Sequence, residues 1–489
     1  MDAPRLALPD LKAQYLQSLD RQVQDIHKAI HPDGRYGEEP WIVRDQEVVF
    51  PLSVAFTTQG SRFYEDESTF EALTQVGSYL RKQQDEQGMY VFRKKDGSEW
   101  GDIFMPWTYL RWIFSYSLVG HLLEPEARKE WEAGLLLGYS GIAKTELTTA
   151  SQRYRGTPAP KRPLREGEVI PWLHNIPTHH AAGLYLAGQC LERSEWMDQA
   201  QEFMALIVEK QTEHGWWEER SGPVVLYNQV YLESLSLYFH YSRDAMVGEA
   251  LQRGNRYHLH TTYPDGSRIE TFDERNYYHA LEPVYGEDGN LRYHPRLCKL
   301  HPGFYTSREG RSLLKILLQC YQQRDEPIAE AAMMLHCLPR KGPLNAEAEP
   351  QPTFSMDDRA LVLREQNWVC ILSAYTAPRS PNRFIQDRQN FLSLYHRKIG
   401  LILGGGSTKI QPLWSTLTVG DTAALKPQLA TPDTDLAPDF AKAGVQYVPD
   451  EVLLQDPREG CWEIQVQTGE AQVSLLIKEI SENQLHLMV

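Results

Sequence analysis

The sequence predicts an α+β multidomain chain: an α/α toroid, a barrel of helix pairs, over residues 1–340, then an antiparallel β-sandwich over 353–489. Three observations predict it. From about residue 10 to 338 apolar residues recur at three- and four-residue steps, the period of helices that bury one stripe. Between these helices a glycine turn returns with aromatic and charged neighbours. After Arg340 the pattern changes to short apolar runs separated by Gly, Pro and Asp, which is how antiparallel strands read.

In chain order, the helical segments are 10–30, 41–58, 67–84, 104–120, 125–140, 176–192, 194–212, 226–242, 244–257, 307–322 and 326–337. The run from Pro106 to Phe114, and that from Gly183 to Leu191, show the period well. The turns are Asp33-Gly34-Arg35-Tyr36, Asp96-Gly97-Ser98-Glu99-Trp100, His214-Gly215-Trp216-Trp217, Asp265-Gly266-Ser267-Arg268 and His301-Pro302-Gly303-Phe304-Tyr305. Their glycines stand 63, 118, 51 and 37 residues apart, a degenerate repeat of outer helix, aromatic turn and inner helix. Five or six such pairs closing on themselves bring the inner-helix starts to one funnel, so the recurring turns should line a single cleft. An open helical solenoid is the alternative.

Residues 142–170 interrupt the repeat. Pro158, Pro160 and Pro163 exclude helix there, and Arg153, Arg155 and Arg165 make a local basic island. It reads as a solvated excursion, or as a rim attracting an anionic substrate. Ala346 to Pro352 is a linker. Strands follow at 360–364, 368–372, 391–396, 463–467 and 473–477. Gly404-Gly405-Gly406 lacks the Lys-Ser/Thr of a phosphate loop and reads as a turn or bulge.

Composition narrows the function. The net charge of −15 argues against nucleic acid and anionic membrane as partners. No apolar run approaches the ~18 residues of a membrane span, and the first ten residues do not read as a signal peptide. That leaves a cytoplasmic protein or an exported one whose signal is missing. Six scattered cysteines form no disulfide framework or zinc motif. The excess is aromatic: 12 Trp, 25 Tyr and 15 Phe, many beside Gly, Asp, Arg and His in turns. Aromatics at loop–helix junctions suit a sugar ring, which has an apolar face and a polar rim. An oligo- or polysaccharide is the expected partner; oligomeric state is not legible.

Hydrolysis of a glycosidic bond needs two carboxyl groups, one protonated and one ionised. The expected catalytic acids are Glu99 or Asp102 on one turn, with Glu270, Asp273 or Glu274 on another. Closure of the toroid would set them across one sugar-binding site. Trp100, Trp216 and Trp217 would stack on sugar; Asn228, Tyr277, Tyr278, Tyr305 and Arg308 would contact it, with Tyr227 nearby. His174, His179 and His180 cluster at a helix start, but steps of five and one suit a single metal face poorly. No metal or cofactor is expected; His179 and His180 are read as substrate contacts.

The segment Asn175-Ile176-Pro177-Thr178-His179-His180-Ala181-Ala182-Gly183-Leu184 resembles the Asn-His-Gly-Thr helix segment of heparinase- and alginate-lyase-type polysaccharide lyases. Those families pair an α/α toroid with a C-terminal β-sandwich. The resemblance implies that Asn175 helps neutralise a uronate carboxylate; Ile176 stands where the family has its His. The expected function is therefore a glycoside hydrolase releasing a β-linked uronic acid or galactose (β-glucuronidase or β-galactosidase type). The alternatives are a polysaccharide lyase cleaving a uronate glycan by β-elimination, with a Tyr or His base, and a non-catalytic glycan-binding protein.

Overall fold

The computed structural model describes residues 7–489 except 95–96, 146, 148–174, 220, 276–280, 286–290, 342–343, 345–347, 380–384, 406–414, 422–443, 456–459 and 479; residues 100, 281–285 and 291–295 are described by their backbone alone. The helices are α1 (Leu8–Ala29), α2 (Val49–Thr57, led in by a 3-10 turn at Val43–Val48), α3 (Glu67–Gln83), α4 (Pro106–Val119), α5 (Pro125–Thr145) and α6 (Asn175–Cys190). They continue as α7 (Ser194–Glu209), α8 (Val225–Ser242), α9 (Ala245–His260), α10 (Arg308–Arg324) and α11 (Ala331–His336). Each answers to a periodic segment of the sequence. Local chemistry sets several starts: Asp66, Asp244 and Ser307 accept from the backbone N–H of Thr69, Met246 and Gly310 at 2.8, 2.9 and 3.0 Å.

The helices sort into two rings by how they are buried. α10 buries one stripe, Leu313, Leu314, Leu317, Leu318 and Tyr321, and its other face meets water. α8 is buried around most of its circumference, from Asn228 and Tyr231 through Glu233, Leu235 and Tyr238, as an inner helix must be. α2, α4, α6 and α8 pack side by side, and α11 returns to pack on both α1 and α2. That contact closes the ring. Tyr305 Oη donates to Met334 O at 3.1 Å beside the Tyr15 hydroxyl, and Ile328 N donates to Ser18 Oγ at 3.1 Å, tying the last elements to the first.

The repeating glycine has a physical reason. Gly34 (φ +89°) and Gly215 (φ +93°) press on an outer helix, where a Cβ would lie 2.2 Å from Gln75 O of α3 and from Arg253 O of α9. Gly88 (φ +89°) presses likewise on Gly138 of α5, and Gly266 (φ +80°) on Leu297 and Cys320. Gly97, expected as a copy of this turn, has open space around it; it sits in the tip of a hairpin, β1 (Tyr90–Arg93) with β2 (Glu99–Ile103). Gly88 holds its place in the repeat. A second hairpin, β3 (Leu281–Tyr285) with β4 (Leu291–Pro295), was likewise not legible in the helical period.

Two antiparallel sheets follow. The first has the order β5 (Thr353–Met356), β6 (Ala360–Glu365), β7 (Trp368–Ser373), β8 (Leu392–His396), β9 (Gly400–Leu403). The second is β10 (Glu451–Leu454), β11 (Cys461–Thr468), β12 (Ala471–Lys478), β13 (His486–Met488). One face of the first sheet shares an apolar cluster with the second: Leu363, Cys370 and Leu394 meet Ile464, Val466 and Ile477. Its opposite face, with Val362, Ile371 and Tyr395, packs on Trp216, Tyr257, Tyr263 and Phe272 of the helical part. Burial on both faces is why β7 and β8 read as unbroken runs rather than alternating ones. Gly404 and Gly405 follow β9 in a loop with φ +133° and +124°.

Candidate active-site cleft

The starts of the inner helices surround a cavity of about 590 Å³. Local breaks start two of these helices: α4 follows an extended Met105 and opens on Pro106, and α8 follows an extended Val224. α4 supplies Trp107 and Arg111, α6 its first residue Asn175, and α8 Tyr227, Val230 and Glu233. The 3-10 turn before α2 brings Arg44, Asp45 and Glu47; the stretch after β4 brings Arg296 and Lys299; Glu330 comes from the approach to α11.

The floor is fixed by ion pairing. Arg111 donates to Glu233 with both side chains about a tenth exposed. Burial alone would raise the Glu233 pKa, but Arg111, then His179, hold it well below the carboxylate range. Burial works against the Arg111 charge; Glu233 and Glu47 outweigh it and raise its pKa. His179 is fully buried, its Nδ1 donating to Asn175 O at 2.9 Å, and its Nε2 lies 3.9 Å from Glu233 Oε1. A carbonyl only accepts, so the Nδ1 proton is assigned by that contact.

The walls are aromatic and cationic. Arg44 stands over the Trp107 ring at 4.9 Å and 3.5 Å from Glu47, while the His179 ring lies 5.7 Å from Trp107. Arg275 lies 4.8 Å from the centre of the Tyr227 ring. Burial raises the Tyr227 pKa; Arg275 acts against this, Glu219 and Asp273 add to it, and Arg44 again opposes. Behind it, Glu219 accepts from Tyr231 Oη at 3.2 Å and is pushed up to about 7, chiefly by burial. Burial likewise raises Glu330 despite Lys299 nearby. Arg44 and Arg111 pair with Glu47 and Glu233, and Arg296, Lys299, Asp45 and Glu330 complete the charged lining.

Of the residues expected at the site, Asn175 lines this cleft, and Tyr227 beside the expected set does too. His179 lies directly beneath, against Glu233; His180 is buried in α6. The acids are placed differently from expectation. Glu99 and Asp102 are on β2 and not at an inner-helix start, and Glu99 pairs across its hairpin with Arg93 at 2.5 Å, half exposed. Glu270, Asp273 and Glu274 are buried between the helical part and the first sheet. Glu270 accepts from Tyr263 Oη and Ser393 Oγ at 2.9 and 2.7 Å, Asp273 from Leu226 N at 2.9 Å, and Glu274 pairs with Arg388 at 2.8 Å. None of the five lines the cleft, so the geometry does not set them across a common sugar site.

The expected stacking residues also serve the core. Trp217 stacks on Tyr231 at 4.9 Å and donates to Ile207 O at 2.7 Å; Trp216 packs edge-on against Tyr375. Asn228 clamps the turn, accepting from Trp217 N and donating to Val224 O at 3.0 Å each. Tyr305 closes the ring, and Arg308 opens α10 on the surface. The Trp100 side chain, Tyr277, Tyr278 and His174 lie outside the described residues, as do Arg153, Arg155 and Arg165. Arg44, Glu47, Arg111, Glu233, Arg296, Lys299 and Glu330 were not singled out. The signal for Arg111 and Glu233 was present: charged residues inside otherwise apolar inner helices.

Among the described residues two groups have metal-ligating side chains close together: His240, His336 and Cys337, and Glu213, His214 and Asp357. Neither lines the cleft. No described helix is long and apolar enough to cross a membrane.

No protein-family profile and no curated protein matches the sequence. Solved structures do match in fold. A xanthan lyase from Paenibacillus aligns with 97% of this chain at 10% identity and a TM-score of 0.53; the chain spans 46% of that lyase. A chondroitin AC lyase from Streptomyces coelicolor, solved with chondroitin sulphate, aligns with 98% of this chain at 12% identity and a TM-score of 0.52, and 67% of that lyase is covered. At such identities the similarity is one of fold. This chain has the α/α-toroid fold of these polysaccharide lyases.

Proposed function

We propose that the protein is a glycan-degrading enzyme, a polysaccharide lyase that cleaves a uronic-acid-containing chain by β-elimination. The observation that carries the reading is the cleft at the inner-helix starts. There, in a chain of net charge −15, Arg296 and Lys299 face Asn175, Tyr227 and Trp107. The xanthan and chondroitin AC lyases named above share the fold and act on uronate glycans, which favours elimination over hydrolysis. With this reading goes a division into a toroid over 1–340 and a β-sandwich over 353–489.

Elimination requires the uronate carboxylate to be neutralised, because the proton leaves C5 beside it and the charge spreads onto its oxygens. Arg296, Lys299 and Asn175 supply two cations and an amide donor for this task. Tyr227 is the base. Arg275 against its ring opposes part of the rise that burial imposes on the Tyr227 hydroxyl, and the phenolate takes the C5 proton. The electron pair forms the C4–C5 double bond as the C4–O bond breaks, and the departing oxygen receives a proton from the same phenol. Trp107 offers the sugar an apolar face. Arg111, Glu233 and His179 form the scaffold beneath.

The hydrolase reading keeps one supporting observation: Glu330, raised by burial, lines the same cleft as Asp45 and Glu47. Products separate the two. Chondroitin, xanthan and neutral glycans are each incubated with the enzyme; ultraviolet absorbance from an unsaturated uronate on the uronate chains alone is expected. Sugar release without that absorbance would replace lyase by hydrolase, and no cleavage of any of them would leave a glycan-binding protein.

A further inference from the structure

A second cavity of about 710 Å³ lies against the first. The two share Gln22, Tyr36, Val48 and Ala329 in their linings, so they are one trough with a waist. The outer basin belongs to the seam where the toroid closes. One wall is a face of α1 that runs from half-buried Arg21 and exposed Asp25 to buried Ile26, and the other is Pro327–Ala329, ahead of α11.

The waist is rigid. Tyr36 N donates to Gln46 Oε1 at 3.1 Å and Gln46 Nε2 donates back to Tyr36 O at 3.0 Å; Gln46 is fully buried. The same turn is pinned by Gly34 against α3, a position that admits no side chain. Tyr36 is thus held at the junction of both basins by a double backbone clamp, although it takes no part in the elimination chemistry above. A fixed aromatic between two basins that mix polar and apolar walls suits a chain of sugar rings, which alternate apolar faces with hydroxyl rims.

Size and charge say which part of the chain goes where. Each basin alone falls within the roughly 300–1,000 Å³ that encloses one drug-sized ligand, about a disaccharide. Joined, they take a longer oligosaccharide. The outer basin is lined by Arg21 and by Asp25, which also accepts from Lys28 Nζ at 2.7 Å, so it offers hydroxyls a guanidinium and a carboxylate; Arg296 and Lys299 stand only in the inner basin.

We propose that the outer basin is a separate glycan-binding subsite that holds the sugar residues next to the reacting uronate through their hydroxyls, with Tyr36 as the stacking residue between them. It follows that the protein acts on chains and gains little from a disaccharide. This inference rests on the lyase reading for the identity of the inner occupant, but its test does not need turnover.

Binding of size-fractionated chondroitin oligosaccharides, disaccharide to decasaccharide, is measured by titration calorimetry in a Tyr227→Phe background. Affinity is expected to rise by about tenfold or more between tetrasaccharide and octasaccharide. Arg21→Ala, at a half-buried position of α1, and Tyr36→Leu should each erase most of that gain. If affinity stops rising at the disaccharide or tetrasaccharide, if Arg21→Ala weakens short and long chains equally, or if no oligosaccharide binds, the subsite is overturned. Length-dependent binding that Arg21→Ala abolishes, with no glycan cleaved by the unsubstituted enzyme, would sustain the trough and refute the lyase. Uronate cleavage without length dependence would do the reverse.

Discussion

Substituting Glu274 tests whether the acid-rich segment 270–274 is structural or catalytic. Glu274 and Arg388 are each 2% exposed, and Arg388 Nε donates to Glu274 Oε1 at 2.8 Å. The other guanidinium nitrogens donate to Pro223 O at 2.9 Å and Phe272 O at 3.3 Å, and Gln386 N donates to Glu274 O at 2.6 Å. The pair therefore fastens the helical part to the segment leading into β8. Glu274→Gln keeps the shape and one acceptor but strands a buried cation, a loss that runs to about 3–5 kcal/mol. The retained acceptor sets the expectation at the low end, about 3 kcal/mol. Arg388→Met should cost as much, since it strands the carboxylate and frees two carbonyls. A Glu274→Leu, Arg388→Met double variant should recover most of the loss, because replacing a buried pair by apolar groups is often near neutral. Denaturant unfolding followed by Trp fluorescence reads the stabilities, with turnover measured where each variant is folded. A Glu274→Gln variant as stable as the parent but without turnover would refute this account and restore the acid to catalysis.

Tyr227→Phe should keep the fold and lower kcat by ~10²–10⁴-fold, the usual worth of a positioned acid–base group; a change below threefold would remove Tyr227 as the base. Glu219 predicts a pH effect of unusual sign. Its pKa rises from 4.5 to about 7 in the folded chain, so between these values the native state holds a proton the unfolded chain has lost. Its contribution is fully present below pH 4.5 and is lost as pH rises towards 7, by roughly 3 kcal/mol. Glu219→Gln should flatten the stability profile in that window, and an unchanged slope would refute the assignment. Gly215→Ala, at φ +93° with a Cβ 2.2 Å from Arg253 O, should cost at least about 1–3 kcal/mol. Gly97→Ala, with open space around it, should cost only the left-handed backbone penalty of about 1–2 kcal/mol. Equal losses in thermal unfolding would mean that Gly97, and not Gly88, keeps the repeat.

What the sequence determined by itself was local. Helix positions followed from apolar spacing, starts from residues such as Asp66, Asp244 and Ser307, and turns from glycines such as Gly34 and Gly215, whose positive φ and close backbone neighbours leave no room for a Cβ. The change to strands after Arg340 was equally plain, because backbone pairing and a two-sided core select short apolar runs. Asn175, placed by a motif at a helix start, was legible for the same reason. The tertiary structure decided which polar residues face a cavity. Arg44, Arg111, Tyr227, Lys299 and Glu330 come from five distant parts of the chain, and no local pattern records that ring closure brings them together. The same closure, with a sheet laid over residues 270–274, turned the acids that looked most like a catalytic set into buried partners of Ser393, Leu226 and Arg388. An acid near an aromatic reads alike in either setting. Whether it meets substrate or a guanidinium depends on long-range packing, which fixes its solvation and its neighbours together.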